Sequence, residues 1–387
     1  MLDWLIIGGG IQGCTMASYL RLKKKVASDK VAIIDPHPAP LARWTQCTSI
    51  ISMPYLRSPS IHHLEPEPFA LEKYAKEKKK KEFLVAPYDR PNISLFNEHC
   101  EHVFQQIQIN KSWVQGRVKR LQKQNLHWKI SLENGEEFKS KNVVIAIGLS
   151  DHPYWPQWAA QLKNDGASVF HVFEDSPKKL QSTREVTIIG GGISAAHLAM
   201  KWGNLIPGQV TLLTRHPLRV HQFDSDPGWL GPKYMRDFSK VTNYEQRRDI
   251  IKKARHRGSL PLELKTRLLQ AERERKISIQ IDEVIDAKTT HNEIELSLTS
   301  KATKKTNAIL LATGFHQTIP GIEWIHPIVE TEGLRCAKCG YPIIGPDLQW
   351  DRGLFVLGPL AELEIGPVAR NIAGARRGAE RIIAAVE

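Results

Sequence analysis

The chain has 387 residues, 41% hydrophobic and 25% charged, with 54 Lys and Arg against 41 Asp and Glu for a net charge of +13. Those values exclude a disordered acidic chain, a disulfide scaffold and a collagen-like repeat, and the length implies two or three hydrophobic cores. The longest apolar run, around Val143–Leu149, falls far short of the roughly 20 residues a spanning helix needs.

The first strand opens at Asp3, which leaves no room for a basic leader, and five cysteines suit a reducing compartment. A soluble, cytoplasmic protein is therefore expected. The strand Asp3–Ile7 runs into Gly8-Gly9-Gly10-Ile11-Gln12-Gly13, then an apolar-faced helix to Leu22 and a second strand, Val31–Ile34, ending in Asp35. In such a unit Gly8 permits the tight turn, Gly10 lets backbone approach a pyrophosphate, and Gly13 lets helix pack closely on strand. Asp35 stands about 20 residues beyond Gly13, the spacing of an acid that binds a ribose hydroxyl. Strand, loop, helix, strand and acid in this order make a dinucleotide site.

Residues 44–110 read as an irregular, partly helical insertion over that site. Cys47 falls within it, where a redox thiol is conceivable. The run Lys73–Lys81, like Lys301–Lys305 later, reads as a solvated face. A nucleic-acid or anionic-membrane patch is the alternative, but no aromatics interleave, so no nucleic-acid partner is expected. Residues 112–140 alternate apolar and polar, with Asn134-Gly135 as a hairpin turn. Val143–Gly148 is a buried-strand pattern, and Ser150–Trp158, rich in Pro and Trp, is a crossing loop.

The strand Glu185–Ile189 then runs into a second fingerprint, Gly190-Gly191-Gly192-Ile193-Ser194-Ala195, with Ala195 in place of the third glycine. Its next strand, Val210–Leu213, ends in Thr214-Arg215-His216 without an acid. A carboxylate there would repel a 2′-phosphate, whereas Arg215 can pair with one, which points to NADPH; an exposed strand-end charge is the competing explanation. Phe223–Lys233 is a Pro/Gly-rich loop, with Trp229 either lining the cofactor or simply packed. Residues 240–275 read as basic helices and 277–300 as a short strand set.

Two such units about 180 residues apart are two separate folds, and two dinucleotides in one chain suggest electron transfer from nicotinamide to flavin. Ala308–Phe315 is a second buried-strand pattern ending in Gly, expected with Val143–Gly148 to join the first sheet. Cys336 and Cys339 form half of a zinc ribbon with no second half, so packing, a redox dithiol and zinc stay open. Gly353–Leu360 is another strand; Gly366-Pro367 follows, with Pro367 at the first position of a helix whose dipole would face the flavin. The expected class is α/β with two Rossmann-type domains, FAD at 1–155 and 308–387, and NADPH at 156–307 inserted between. Homo-oligomers are compatible with this organisation.

The double fingerprint and the stretch Asn307 to Phe315, with Thr313-Gly314 at its end and Pro320 beyond, resemble the class B flavin monooxygenases. The nearest likeness is to lysine and ornithine N-hydroxylases, although Asn307 and Phe315 stand where an acid and a tyrosine are common. The segment Ala42–Pro59 resembles that family's flavin and substrate region, and the ending Glu362–Ile382 resembles related FAD/NAD(P)-binding proteins. The resemblance implies FAD, NADPH and O₂, with a peroxyflavin hydroxylating a small amine or other nucleophile. Thr313, Gly314, Gly366 and Pro367 would then join the cofactor contacts, and Gln46, Met53, Arg57, His62 and His63 the substrate pocket. Arg57 would hold a substrate carboxylate, and a neutral His would accept a proton; a capping or exposed histidine pair is the alternative. Two further functions remain: an NADPH:disulfide or quinone reductase with Cys47 as redox thiol, and a non-catalytic flavin redox sensor.

Overall fold

A computed structural model describes residues 1–174, 185–290 and 293–386. In chain order the first part holds β1 (Leu2–Ile7), α1 (Ile11–Ser18), β2 (Val31–Asp35), α2 (Ala42–Ile50), α3 (Ala70–Glu77) and α4 (Ile93–Ile107). It continues with β3 (Trp113–Gln115), β4 (Val118–Gln124), β5 (His127–Leu132) and β6 (Glu137–Ile145). The middle part holds α5 (Gln157–Asn164), β7 (Val169–His171), β8 (Val186–Ile189), α6 (Ile193–Leu205), β9 (Val210–Thr214), α7 (Pro232–Lys240), α8 (Tyr244–Ala254) and α9 (Leu262–Arg273). Then come β10 (Ile277–Ile281), β11 (Val284–Thr290), β12 (Glu293–Leu298), β13 (Thr303–Thr306) and β14 (Ala308–Leu311). The last part is α10 (Ile322–Glu332), β15 (Gln349–Asp351), β16 (Leu354–Val356), α11 (Glu362–Ile365) and α12 (Ile372–Ala385).

Two sheets organise these elements. The first runs β15-β16-β6-β1-β2-β3, parallel from β16 to β3, with Ile6 opposite Ile33 on one side and Val144 on the other. The second runs β10-β9-β8-β14-β7, all parallel, with Ile188 between Leu212 and Leu310. The strands carrying the glycine loops are central in both. Such strands are covered on both faces, which is why they read as unbroken apolar runs. Burial follows: one core wraps the first sheet with α1, α4 and α12, and two more cover the faces of the second.

The first sheet also carries an antiparallel meander, β4-β5-β6, and β11-β12-β13 form a separate three-stranded antiparallel sheet after the second unit's β10. Gly135, at φ +89°, makes the expected β5–β6 turn.

Two expectations need correction. Ala308–Leu311 does not return to the first sheet; it pairs with β8 as β6 pairs with β1, so the two apolar strands are counterparts in different sheets. Pro367 does not start a helix either, because α12 begins at Ile372 behind Asn371, which has extended backbone. The chain crosses between sheets twice, and the crossings pair with each other. The Tyr154 amide donates to the Gly314 carbonyl at 2.9 Å and the His316 amide to the His152 carbonyl at 2.8 Å. Among the described residues, no helix is long and apolar enough to span a membrane.

Candidate active site

Both glycine loops open into one cavity of about 1670 Å³ at the C-terminal ends of the parallel strands. That is where open α/β sheets bind ligands, and the volume exceeds the roughly 300–1,000 Å³ of a single-ligand pocket. The two loops are built alike. Gly8 has φ +108°, and a Cβ there would lie 2.8 Å from the Ala146 carbonyl; Gly190 has φ +149°, and its Cβ would lie 2.6 Å from the Ala312 carbonyl. Each first glycine thus turns under the alanine that ends the neighbouring strand pattern. A Cβ on Gly13 would fall 1.8 Å from the Gly8 carbonyl oxygen, so the third glycine serves helix packing. Ala195 is buried in the equivalent place.

Gly10 behaves differently. Nothing lies within 4 Å of where its Cβ would be, and its open side lines the cavity. The α1 amides that follow have no intrahelical acceptor, as at any helix start. Asp35 Oδ2 accepts from the Gly9 amide at 2.6 Å and Oδ1 from the His37 amide at 2.9 Å, so the main chain fixes a carboxylate that also lines the cavity. Gln12 donates through Nε2 to the carbonyls of Ala369 and Asn371, tying the loop to the α12 end, while its buried Oε1 meets no protein donor. A backbone cradle, a positioned acid and an orphaned acceptor fit a dinucleotide.

In the second unit Gly190, Gly192 and Arg215 line the cavity. Arg215 is largely exposed, with its guanidinium 4.0 Å from Glu283. The strand end of β9 has no acid, but the turn after β10 brings Asp282 and Glu283 alongside. Thr313 and Gly314 line the cavity too, and Thr313 Oγ1 donates to the Tyr154 carbonyl at 2.5 Å.

The expected substrate residues fare less well. Arg57 reaches the cavity but has spent its donors: Nε on the Gln222 carbonyl (2.8 Å), Nη1 on Asp224 (2.5 Å), and Nη2 on His221, Phe223 and Ser259. It clamps residues 221–224 and is not a free carboxylate anchor. His63 is fully buried away from the cavity, bonded to the Pro68 carbonyl and accepting from the Glu65 amide. Burial, then Arg376, pulls its pKa down to about 3, and the same causes bring His62 to about 4. Neither histidine lines the cavity. Gln46 is bonded to Arg43, and Met53 packs between cores. Gly366 and Trp229 are also interior: Trp229 sits against Tyr234 and Phe238, and a Cβ on Gly366 would meet Met235. Pro367 contributes a carbonyl, which accepts from Arg255 at 3.2 Å.

Cys47 does line the cavity, within α2 on the same helix as Arg43 and Trp44. Burial is the main cause raising its thiol pKa, which Arg43 only partly opposes, so the thiolate is disfavoured. Of the remaining cysteines none lines the cavity. Cys336 is half-buried and Cys339 exposed, and among the described residues no group of three or more His, Cys, Asp or Glu gathers for a metal. Sequence reasoning did not single out Gln12, Arg43, Trp44, Arg255, Arg257, Gln317 or Arg370. Gln12 lay inside the first fingerprint, and Arg43, Trp44 and Arg370 inside segments with a family resemblance, whereas Arg255, Arg257 and Gln317 carried no local signal.

Paired glycine loops facing one cavity define a protein that brings two dinucleotides together. The sequence profile of the pyridine nucleotide-disulphide oxidoreductase family matches residues 2–375, and the chain belongs to that family. No curated protein sequence matches it. Among solved structures, an ornithine N-hydroxylase from Kutzneria sp. 744 with reduced FAD, NADP⁺ and L-ornithine is 14% identical, with a TM-score of 0.80 over 100% of this chain and 99% of that one. The ornithine hydroxylase of Pseudomonas aeruginosa is 19% identical, with a TM-score of 0.77 over 100% and 98%. A bacillithiol disulfide reductase from Staphylococcus aureus is 16% identical, with a TM-score of 0.63 over 100% and 99%. The chain has the fold of these flavoproteins, as the motif resemblance implies.

Proposed function

We propose that the chain is an FAD-dependent oxidoreductase that takes reducing equivalents from NADPH and acts as a monooxygenase on a small nucleophilic substrate, with O₂ as oxidant. The observation that carries this reading is the opening of both glycine loops into one cavity large enough for two dinucleotides. The Gly8–Gly13 loop, the α1 start and Asp35 would hold FAD; the Gly190–Ala195 loop and Arg215 would hold NADPH. FAD when bound supplies the hydride-accepting and oxygen-reactive ring. The protein positions both ligands, and Trp44, Phe173, Phe315 and Trp324 on the cavity wall exclude water. We read the sheets as two domains, the second inserted through the paired crossings, and unpaired thiols suit a cytoplasmic setting.

The test is direct. Purified protein should be yellow, oxidise NADPH with O₂ uptake, and when reduced and mixed with O₂ show a long-lived absorbing intermediate before reoxidation. Colourless protein that stays colourless with added FAD would refute the reading. Cys47 on the cavity wall favours a second one, a disulfide reductase, for which disulfide-dependent turnover would vanish in Cys47→Ser. Its raised thiol pKa weighs against that role.

A further inference from the structure

Three arginines on the cavity wall form a cluster that the dinucleotide reading leaves unexplained. Arg255 and Arg257 follow α8, and Arg370 precedes α12; all three line the cavity. Arg257 Nη2 and Arg370 Nη1 converge on one neutral acceptor, Gln317 Oε1, at 2.8 and 2.9 Å. Arg255 donates to the Pro367 carbonyl. The anion within the group is Glu362, fully buried, which accepts from Arg370 Nε at 2.7 Å and is shared with Arg248. Asp224, the carboxylate nearest in effect to Arg255, is already paired with Arg57. Glu362 thus pairs with Arg370 and Arg248, while Arg255 and Arg257 donate to neutral acceptors. Burial first, then Arg370, holds Arg255 down to about 10, and the same two causes depress Arg257.

We propose that this end of the cavity binds a ligand with at least two negative charges on oxygen, such as a dicarboxylate, so that the substrate is an anion and not a diamine. Guanidinium forks match carboxylate and phosphate oxygens in geometry, and an incoming anion relieves the repulsion among clustered cations, most strongly at the half-buried Arg255 and Arg370. The three side chains approach from both sides. Arg255 and Arg257 adjoin the second glycine loop, with Gly258 3.5 Å from the Cβ position of Gly192, while Arg370 stands beside the carbonyls of Ala369 and Asn371 held by Gln12. Taking the bound anion to be the substrate rests on the proposed oxidoreductase reading; the charge argument does not.

The competing anion is the phosphate of NADPH, and the experiment separates the two. FAD-loaded protein is titrated calorimetrically with glutarate, inorganic phosphate and cadaverine, each with and without saturating NADP⁺. Glutarate should bind with NADP⁺ present and cadaverine should not. Arg257→Gln, an exposed position that will fold, should weaken glutarate about tenfold or more and leave NADP⁺ unchanged. Arg370→Gln should do the same, with its folding checked because it also partners Glu362. Failure of glutarate to bind, cadaverine binding equally well, displacement of glutarate by NADP⁺, or a matching loss of NADP⁺ affinity in Arg257→Gln would each overturn the proposal. Failure of the oxidoreductase reading would appear instead as absent flavin uptake or NADPH oxidation.

Discussion

Two glycines of one motif should fail in different ways. Gly10→Glu places a side chain in open cavity space, so the variant should keep its thermal midpoint and lose flavin absorbance. Gly13→Ala drives a methyl into the Gly8 carbonyl, so it should lose about 3 kcal/mol of folding stability by denaturant titration. Equal effects of both on stability would show that the distinction is wrong. The half-buried His62 and the buried His63 give a further prediction at this scale. His62 and His63 have folded pKa values near 4 and 3, below the unfolded value of roughly 6.5. Their contribution is complete above pH 6.5 and is lost as pH falls through 4 toward 3, because the unfolded chain binds their protons first. Unfolding free energy should drop across that window, less steeply in a His62→Gln, His63→Gln double variant; an unchanged slope would contradict the assignment. The pair's placement was hidden from sequence because adjacent histidines carry no period, and Arg376 and His99, brought from far along the chain, decide it together with the neighbouring Glu65 amide.

At the scale of elements, the Rossmann units were legible because their signal is local: strand, turn, helix and strand lie within one short segment. What a strand pattern cannot encode is which sheet it joins. Ala308–Leu311 and Val143–Ile145 are equally apolar, and only their neighbours, β8 and β1, tell them apart. The same limit bears on the end of β9. Sequence places Arg215 there alone, but the neighbouring β10 is followed by Asp282 and Glu283, which bring negative charge to the same rim. Arg215→Ala should therefore raise Kd for NADPH about tenfold with little effect on NADH, while Glu283→Gln should tighten NADPH. Binding measured for both nucleotides checks this, and an unchanged preference in both variants would remove Arg215 from the phosphate site.

For the whole molecule, the central question is what holds the two sheets in register across the cavity. The paired crossings supply one link, and Arg57 supplies another. It sits in the insertion after α2 but donates to three successive carbonyls, His221, Gln222 and Phe223, and to Asp224 beyond the end of the second unit's β9. A guanidinium with this geometry is a structural strap; lysine, with a point charge and no fork, cannot replace it. The sequence suggested a substrate anchor because an arginine near an active-site segment looks available until its long-range acceptors are known. The two roles predict opposite outcomes. Arg57→Ala should cost about 3 kcal/mol by leaving Asp224 and the carbonyls without their donor, and Arg57→Lys should recover less than half of that. Both variants should become more sensitive to limited proteolysis near residues 221–224 while retaining flavin. A strap whose removal left stability and proteolysis untouched, and raised only the substrate KM, would return Arg57 to the role of anchor.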